Sequence, residues 1–356
     1  MNLRIGKLIS MLEENQIDAA IISEKNNIRY FSGFTSEDAV LLIHKSVYYL
    51  ITDFRYIEQA QKQCPGFNTV DAPGNKTAPF IKKICMELDA RRIWFEDDTI
   101  TYRTYNSYKE ALHPLELIPD KGMLSKIRII KTVDEINYIK RAARLADKGF
   151  LHILNIIRPG ISEKELAIEL EFFLRKNGCE ELAFPIIIAS GKNGSLPHAE
   201  PSNKKLEKGE FVTLDFGCKI SGYCSDMTRT VALGEPNKQL QEIYNIILEA
   251  QTKALNIIGP GLTGKEVDKQ ARDYITSKGY GKFFGHGLGH GVGLNVHEEP
   301  RLSERGNDIL QSGMVVSVEP GIYLPGIGGV RIEDIVVITE DGHENLVFSK
   351  KDLIVL

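Results

Sequence analysis

The chain has 356 residues, with 44 basic against 48 acidic side chains and a net charge of −4. Single hydrophobic cores stop growing at about 250–300 residues, so two domains are expected, and the balanced charge excludes a protein that grips nucleic acid through a basic surface. Five cysteines form no Cys-x-x-Cys pair and are odd in number, which fits free thiols in a reducing, cytoplasmic setting; a Cys218–Cys224 bridge across a hairpin is the competing reading.

The first segment, "MNLRIGKLISMLEENQIDAAII", places Leu3, Leu8, Ile9 and Leu12 at helical spacing and runs into a strand. It lacks the apolar core and cleavage site of a signal peptide, and no apolar run approaches the length of a membrane span, so no membrane partner is expected. Short apolar runs follow, "DAAIIS", "AVLLIH", "VYYLIT" and "RRIWFED", alternating with helical patterns. They predict an α/β domain over residues 1–118. Pro114, Pro119 and Gly122 mark the passage to a second domain, 119–356. That domain opens with a long helix whose start is signalled by a capping box, Thr132 to Glu135, and whose end is set by Pro159-Gly160.

The second domain repeats itself. "IIRPGISEKEL" from Ile156 recurs as "IIGPGLTGKEV" from Ile257, each with a capping box, Ser162 to Glu165 and Thr263 to Glu266. Gly178 and Gly279 keep the same offset. "LEKGEFVTLDFG" from Leu206 then matches "LQSGMVVSVEPG" from Leu310, which sets Asp215 on Glu319. "HAEP" at His198 falls on "HEEP" at His297, and "YCSDMTRTV" with "VRIEDIVVI" sets Asp226 on Glu333. Matches in one order predict two similar α/β halves related by a pseudo-twofold axis.

Between the matched acids lies "FGHGLGHGVGLNVHEEP", with glycine at every second position from Gly285 to Gly293. Five glycines at about 1 kcal/mol each rule against a helix. If the segment is extended, His286, Leu288, His290 and Val292 share one side and bare glycine forms the other. A glycine-rich bend with incidental histidines is the alternative. On the neighbouring strands, alternation aims Asp215 away from an apolar face and puts Arg331 on the same face as Glu333. Four carboxylates converging at the pseudo-twofold axis would repel one another and raise their pKa values, a conflict that two divalent cations would remove. Acidic oxygens with an imidazole suit Mn, Co, Zn or Fe, and no cysteine set for a thiolate site is present.

"LDFG", "SDMTRT", "GHGLGHGVGLNVHE", "SVEPGIY" and "GVRIED" closely resemble the metal-dependent Xaa-Pro peptidases, prolidase and aminopeptidase P, and "NNIRYFSGFT" is similar to their N-terminal creatinase-like domain. The resemblance implies an α/β fold, a small creatinase-like domain followed by a pita-bread domain with an internal pseudo-twofold repeat. It implies two divalent metal ions per chain, with Asp226 and Glu333 bridging them, Asp215 on one, and His290 with Glu319 on the other. It further implies that water activated between the ions attacks the scissile carbonyl of a proline-containing peptide. Glu319 would handle its proton, and His198 or His297 would donate to the oxyanion or to the leaving nitrogen. His286, His297 and Arg331 would line the substrate pocket, and the family commonly forms homodimers. Two other assignments compete, a methionine aminopeptidase-like exopeptidase and a peptide-binding module without catalysis. Creatinase shares both domains but not the metals, and all five ligand positions are intact here.

Overall fold

Residues one helical turn apart bury Ile5, Leu8, Ile9 and Leu12 on one side of the helix Leu3–Glu14, which leads into the strand Ala19–Ile22. This strand lies inside a six-stranded sheet, and the computed structural model describes residues 3–356 in all. Ala39–His44 pairs antiparallel with Ala19–Ile22 on one side, and Arg92–Phe95 pairs parallel on the other. Val47–Thr52 follows as a hairpin partner of Ala39–His44. These are the four strands the apolar runs predicted. Two more, Asn68–Asp71 and Glu116–Pro119, pair parallel at the edges. Their residues are largely exposed or half-buried, so they carry little of the apolar signal by which a strand is read.

The edge strand Glu116–Pro119 also moves the domain boundary. The chain divides between Ile127 and Arg128, later than the expected 118/119, because the proline-bearing segment read as a passage is hydrogen-bonded to Arg92–Phe95. The N-terminal unit holds its own core, in which Ile21, Leu42, Ile51, Ile81 and Ile93 are fully or almost fully buried.

The second unit shows its repeat in three dimensions. Helices Val133–Leu154 and Glu163–Lys176 precede a three-stranded sheet in the order Met227–Leu233, Glu210–Phe216, Ile187–Ser190. Helices Lys238–Ile257 and Gly264–Ser277 precede a five-stranded sheet whose centre is Gly289–Gly291, Val315–Val318 and Asp334–Ile338. All three expected capping boxes are closed, with each N-cap hydroxyl accepting from the third residue's N–H and that residue's carboxylate accepting in return. Even the minor contacts repeat. Gly160 N–H donates to Leu206 O and Gly261 N–H to Leu310 O, both at 2.9 Å.

Two strands expected to be continuous are broken. "YCSDMTRTV" forms Tyr223–Cys224 and Met227–Leu233, and "VRIEDIVVI" forms Gly328–Arg331 and Asp334–Ile338. In both halves the acidic residue, Asp226 or Glu333, stands just before the second piece, freed from strand alternation at the place where the halves meet. There Glu333 N–H donates to Thr228 O, and buried Arg229 pairs with buried Asp334 at 2.7 Å. The five cysteines are free and buried. No described helix is long and apolar enough to cross a membrane.

Candidate active site

The glycine-rich segment is extended at its centre, Gly289–Gly291, between Glu298–Leu302 and Val315–Val318. None of its glycines from Gly285 to Gly293 has the positive φ that would need glycine for conformation, and Gly287, Gly289, Gly291 and Gly293 allow close approach instead. A Cβ on Gly289 would stand 2.0 Å from Ser317 O, and one on Gly291 would stand 2.2 Å from Glu299 O. The segment is thus a short central strand flanked by bends, with His290 lying in the strand itself. His290 is buried and turned toward the acids.

A cavity of about 500 Å³ collects Asp215, Asp226, His290, Glu319 and Glu333 with His198, His286, His297 and Arg331. Every residue singled out from sequence therefore faces one space. Oxygens of Asp226 and Glu333 and a nitrogen of His290 lie within 4.8 Å of one another. His290 Nε2 is 3.0 Å from Glu319 Oε1 and 3.7 Å from Asp226 Oδ2. Its Nδ1 faces Gly291 O at 3.1 Å, and since a carbonyl only accepts, Nδ1 carries the proton and Nε2 is left as the donor atom toward the acids. Ser317 Oγ accepts from His290 N–H and donates to Glu319 Oε1, both at 3.0 Å.

The cluster has too much negative charge for its burial. Burial, reinforced by Asp215, raises Asp226 well above the usual carboxylate range, and burial with Asp226 does the same to Glu333. Asp215 is also raised by burial, although its pairing with Arg331 opposes this. Burial works against ionised Glu319 too, but the hydrogen bond and charge of His290 bring it to about 2. Burial would lower His290, and Glu319 and Asp226 lift it to about 9 instead. Asp215 Oδ1, Asp226 Oδ1 and Glu333 Oε1 are buried without any hydrogen-bond partner. Each such oxygen costs about 1–3 kcal/mol or more when charged. Three orphaned carboxylate oxygens beside His290 Nε2, which offers a lone pair once a cation displaces its proton, are a donor set that fits hard or borderline divalent cations.

Around the acids runs a relay that sequence reasoning missed in part. Arg331 Nε donates to Thr228 Oγ1 at 3.1 Å, and Thr228 Oγ1 donates to Glu333 Oε2 at 2.7 Å. Arg331 Nη1 donates to Tyr323 Oη at 2.8 Å, and Tyr323 Oη lies 2.9 Å from His286 Nε2. His286 Nδ1 faces Gly287 O, so Nδ1–H donates and Nε2 accepts from the tyrosine. Burial holds His286 below its usual pKa, in keeping with that neutral form. Tyr323 stands within "SVEPGIY", but a single tyrosine on an apolar strand reads as core. The wall that sequence left unidentified includes Phe184, Pro185 and Ile187, which border the same cavity from within a run that reads as plain strand.

Residues 137–340 match metallopeptidase family M24, and residues 4–130 match the creatinase/prolidase N-terminal domain. The chain belongs to metallopeptidase family M24. It is a metal-dependent peptidase, and its second unit has the family's pita-bread fold. An uncharacterized peptidase of Bacillus subtilis, YqhT, is 45% identical over 99% of this chain and 100% of its own length. The structure of an Xaa-Pro dipeptidase from Bacillus anthracis is 50% identical, with a TM-score of 0.96 over 99% of both chains. That of an X-Pro aminopeptidase from Thermotoga maritima is 38% identical, with a TM-score of 0.91 over 99% of this chain and 100% of its own.

Proposed function

We propose that this peptidase hydrolyses the Xaa-Pro bond, at the N-terminus of peptides or in Xaa-Pro dipeptides, with two divalent cations per chain. The observation that carries the reading is the set of three orphaned carboxylate oxygens opening onto a cavity walled by Phe184, Pro185 and three histidines. Asp226 and Glu333, central and unneutralised, would bridge the ions. Asp215 would hold one, and His290 with Glu319 the other. Bound there, such a pair supplies an acidified water and stabilises negative charge that develops on a carbonyl oxygen.

The protein's own groups do the rest. Glu319 accepts the proton of the attacking water, and Ser317 fixes which of its oxygens faces His290. His297 keeps part of its surface in solvent, but its partial desolvation in the cavity together with the neighbouring His290 lowers its pKa to about 4, so it offers an N–H without adding charge. His297 or His198 then donates to the oxyanion or to the departing proline nitrogen. Arg331 is buried and tied to Asp215, Thr228, Tyr323 and Pro197 O, so it shapes the pocket chiefly by fixing Tyr323 and through it His286. Five free buried cysteines support a cytoplasmic setting, and the family resemblance supports a homodimer.

The test is a panel of an Xaa-Pro dipeptide, an Xaa-Pro-Xaa tripeptide and a Met-Ala peptide, each with a free or acetylated amine, alongside metal analysis. Cleavage of unblocked Xaa-Pro substrates with two ions bound per chain is expected. Cleavage of Met-Ala alone would transfer the chain to the methionine aminopeptidase type, and no cleavage at all by metal-loaded protein would leave a binding module.

A further inference from the structure

Glu163 is a wholly buried carboxylate that lines no part of the cavity. It is the first residue of the helix Glu163–Lys176, and every group around it donates. Its Oε1 accepts from Ser190 N–H at 2.7 Å, Ser190 Oγ at 2.8 Å and Asn193 Nδ2 at 3.0 Å. Its Oε2 accepts from Ser202 N–H at 3.1 Å, Ser202 Oγ at 2.6 Å and Asn193 Nδ2 at 3.0 Å. Such charge-assisted bonds, with the positive end of a helix dipole, make burial of this charge tolerable.

Ser190 and Ser202 are the two ends of the segment 191–201, and His198 is carried on it. The segment has little core of its own, since Lys192, Leu196, His198 and Glu200 are exposed. Beyond Glu163, its contacts include Glu210, whose Oε1 would stand 2.1 Å from a Cβ on Gly191, the backbone of Gly329, where a Cβ would stand 2.1 Å from Gly194 O, and Arg331 Nη1, which donates to Pro197 O at 3.3 Å. The repeat shows that the fold of a half does not demand this carboxylate. Gly264 follows Thr263 as Glu163 follows Ser162, and a Cβ on Gly264 would stand 2.0 Å from Arg301 O, so there the backbone itself closes on the helix.

We propose that Glu163 is a positioning residue for His198, its carboxylate pinning both ends of the 191–201 segment so that the histidine is held over the cavity. This rests on the role given to His198 above. Glu163→Gln preserves volume, but its amide has one accepting arm, and the other meets a backbone N–H of either Ser190 or Ser202 with a second donor. One end of the segment is therefore released whichever way the amide turns.

The measurements are amide hydrogen exchange, metal content and steady-state kinetics on an Xaa-Pro dipeptide, for Glu163→Gln, His198→Ala and the double variant. Protection should fall across 191–201 and stay unchanged at Gly289–Gly291, with metal content intact. The kcat/KM should fall on the order of 10-fold to 100-fold, as for a displaced catalytic group. In the His198→Ala background the same change should cost less than about 2-fold, because the two residues act as one unit. Unchanged protection of 191–201, or an equal loss of activity in both backgrounds, would overturn the proposal. If His198→Ala alone is fully active, the role given to His198 fails, and the exchange result by itself judges the clamp. Should Glu163→Gln not fold, Asn193→Ala withdraws one donor from each oxygen and leaves the serine bonds, and the same exchange pattern is expected in milder form.

Discussion

The two halves of the catalytic unit share caps, helix pairs and strand order, yet they bring different chemistry to the cavity. The first half contributes Asp215 and Asp226, each with an orphaned oxygen, and Asp215 is paired with Arg331 through its other oxygen. The second contributes Glu333, also with an orphaned oxygen, and the tightly coupled pair His290 and Glu319. The loops that carry His198 and His297 differ in the same way. The first is tied to Glu163 by neutral donors, whereas Glu298, next to His297, sits between Arg128 at 2.6 Å and Lys131 at 2.7 Å. A repeated backbone thus supplies symmetric positions, and single side chains divide the work between them.

The sharpest way to break this comparison is to neutralise the matched acids Glu319 and Asp215. With metal in excess and occupancy measured in parallel, Glu319→Gln should lose on the order of 10²-fold to 10⁴-fold in turnover, the scale of a lost general base. Asp215→Asn should suffer mainly in metal binding and recover as metal is added. Similar behaviour of the two at matched occupancy would mean that the halves are chemically equivalent after all.

Much of this comparison was legible in the sequence because its signals are local and periodic. The capping boxes, the Pro-Gly stops and the matched acids recur at near-constant offset, and the alternating glycines marked the segment that carries His290 as one suited to close backbone approach. What escaped depended on partners distant in the chain. Tyr323 matters because Arg331 and His286 reach it, Phe184 and Pro185 because the cavity opens beside them, and Glu163 because Ser190 and Ser202 fold onto it. The edge strands Asn68–Asp71 and Glu116–Pro119 escaped for another reason, since four half-buried or exposed residues carry too weak an apolar pattern to be read as a strand.

The loop comparison can be sharpened by pH. Burial raises the pKa of Glu298, but Lys131 and Arg128 outweigh it and hold the folded value below the ordinary 4.5. A lowered folded pKa means that this stabilisation is complete above the unfolded value and disappears as pH falls through the folded one. Glu298→Gln removes the carboxylate that two buried cations share and should cost about 3–5 kcal/mol at neutral pH. It should also flatten the acid limb of a Tm-against-pH curve. An acid limb of unchanged slope would show that the ion cluster contributes nothing to the pH dependence.

Metal removal tests the division of ligands with a smaller expected effect. One ion present at about 100 times its Kd stabilises the native state by about 2.7 kcal/mol, so the loss of one ion should lower Tm by roughly 5–10 °C for a unit of this size. His290→Ala removes the only nitrogen donor in the set and should weaken one ion preferentially, reducing the metal count under limiting metal from two toward one. Titration calorimetry that still finds two full-strength sites in this variant would remove His290 from the metal centre.

The smallest effect concerns the caps, where the halves are most alike. Ser162 Oγ and Thr263 Oγ1 each accept from the N–H three residues on and each donate to the returning glutamate, at 2.6 Å and 2.8 Å respectively. Replacing either by alanine should cost about 1 kcal/mol, the usual value of an N-cap, and should leave activity and metal content unchanged. The two positions differ in two respects. Ser162 is buried and Glu165 also pairs with Lys205 at 2.9 Å, whereas Thr263 is half-buried and Glu266 shows no ion pair among the described residues. That surface pair adds only a few tenths of a kcal/mol at most and is screened by salt. The burial of Ser162 matters more, since its loss strands a donor where water does not enter freely. Denaturant titrations should therefore give Ser162→Ala a somewhat larger loss than Thr263→Ala, with the gap surviving in high salt. A gap that closes as salt is added would assign the difference to Lys205, and the two caps would then be equivalent in everything but a surface charge.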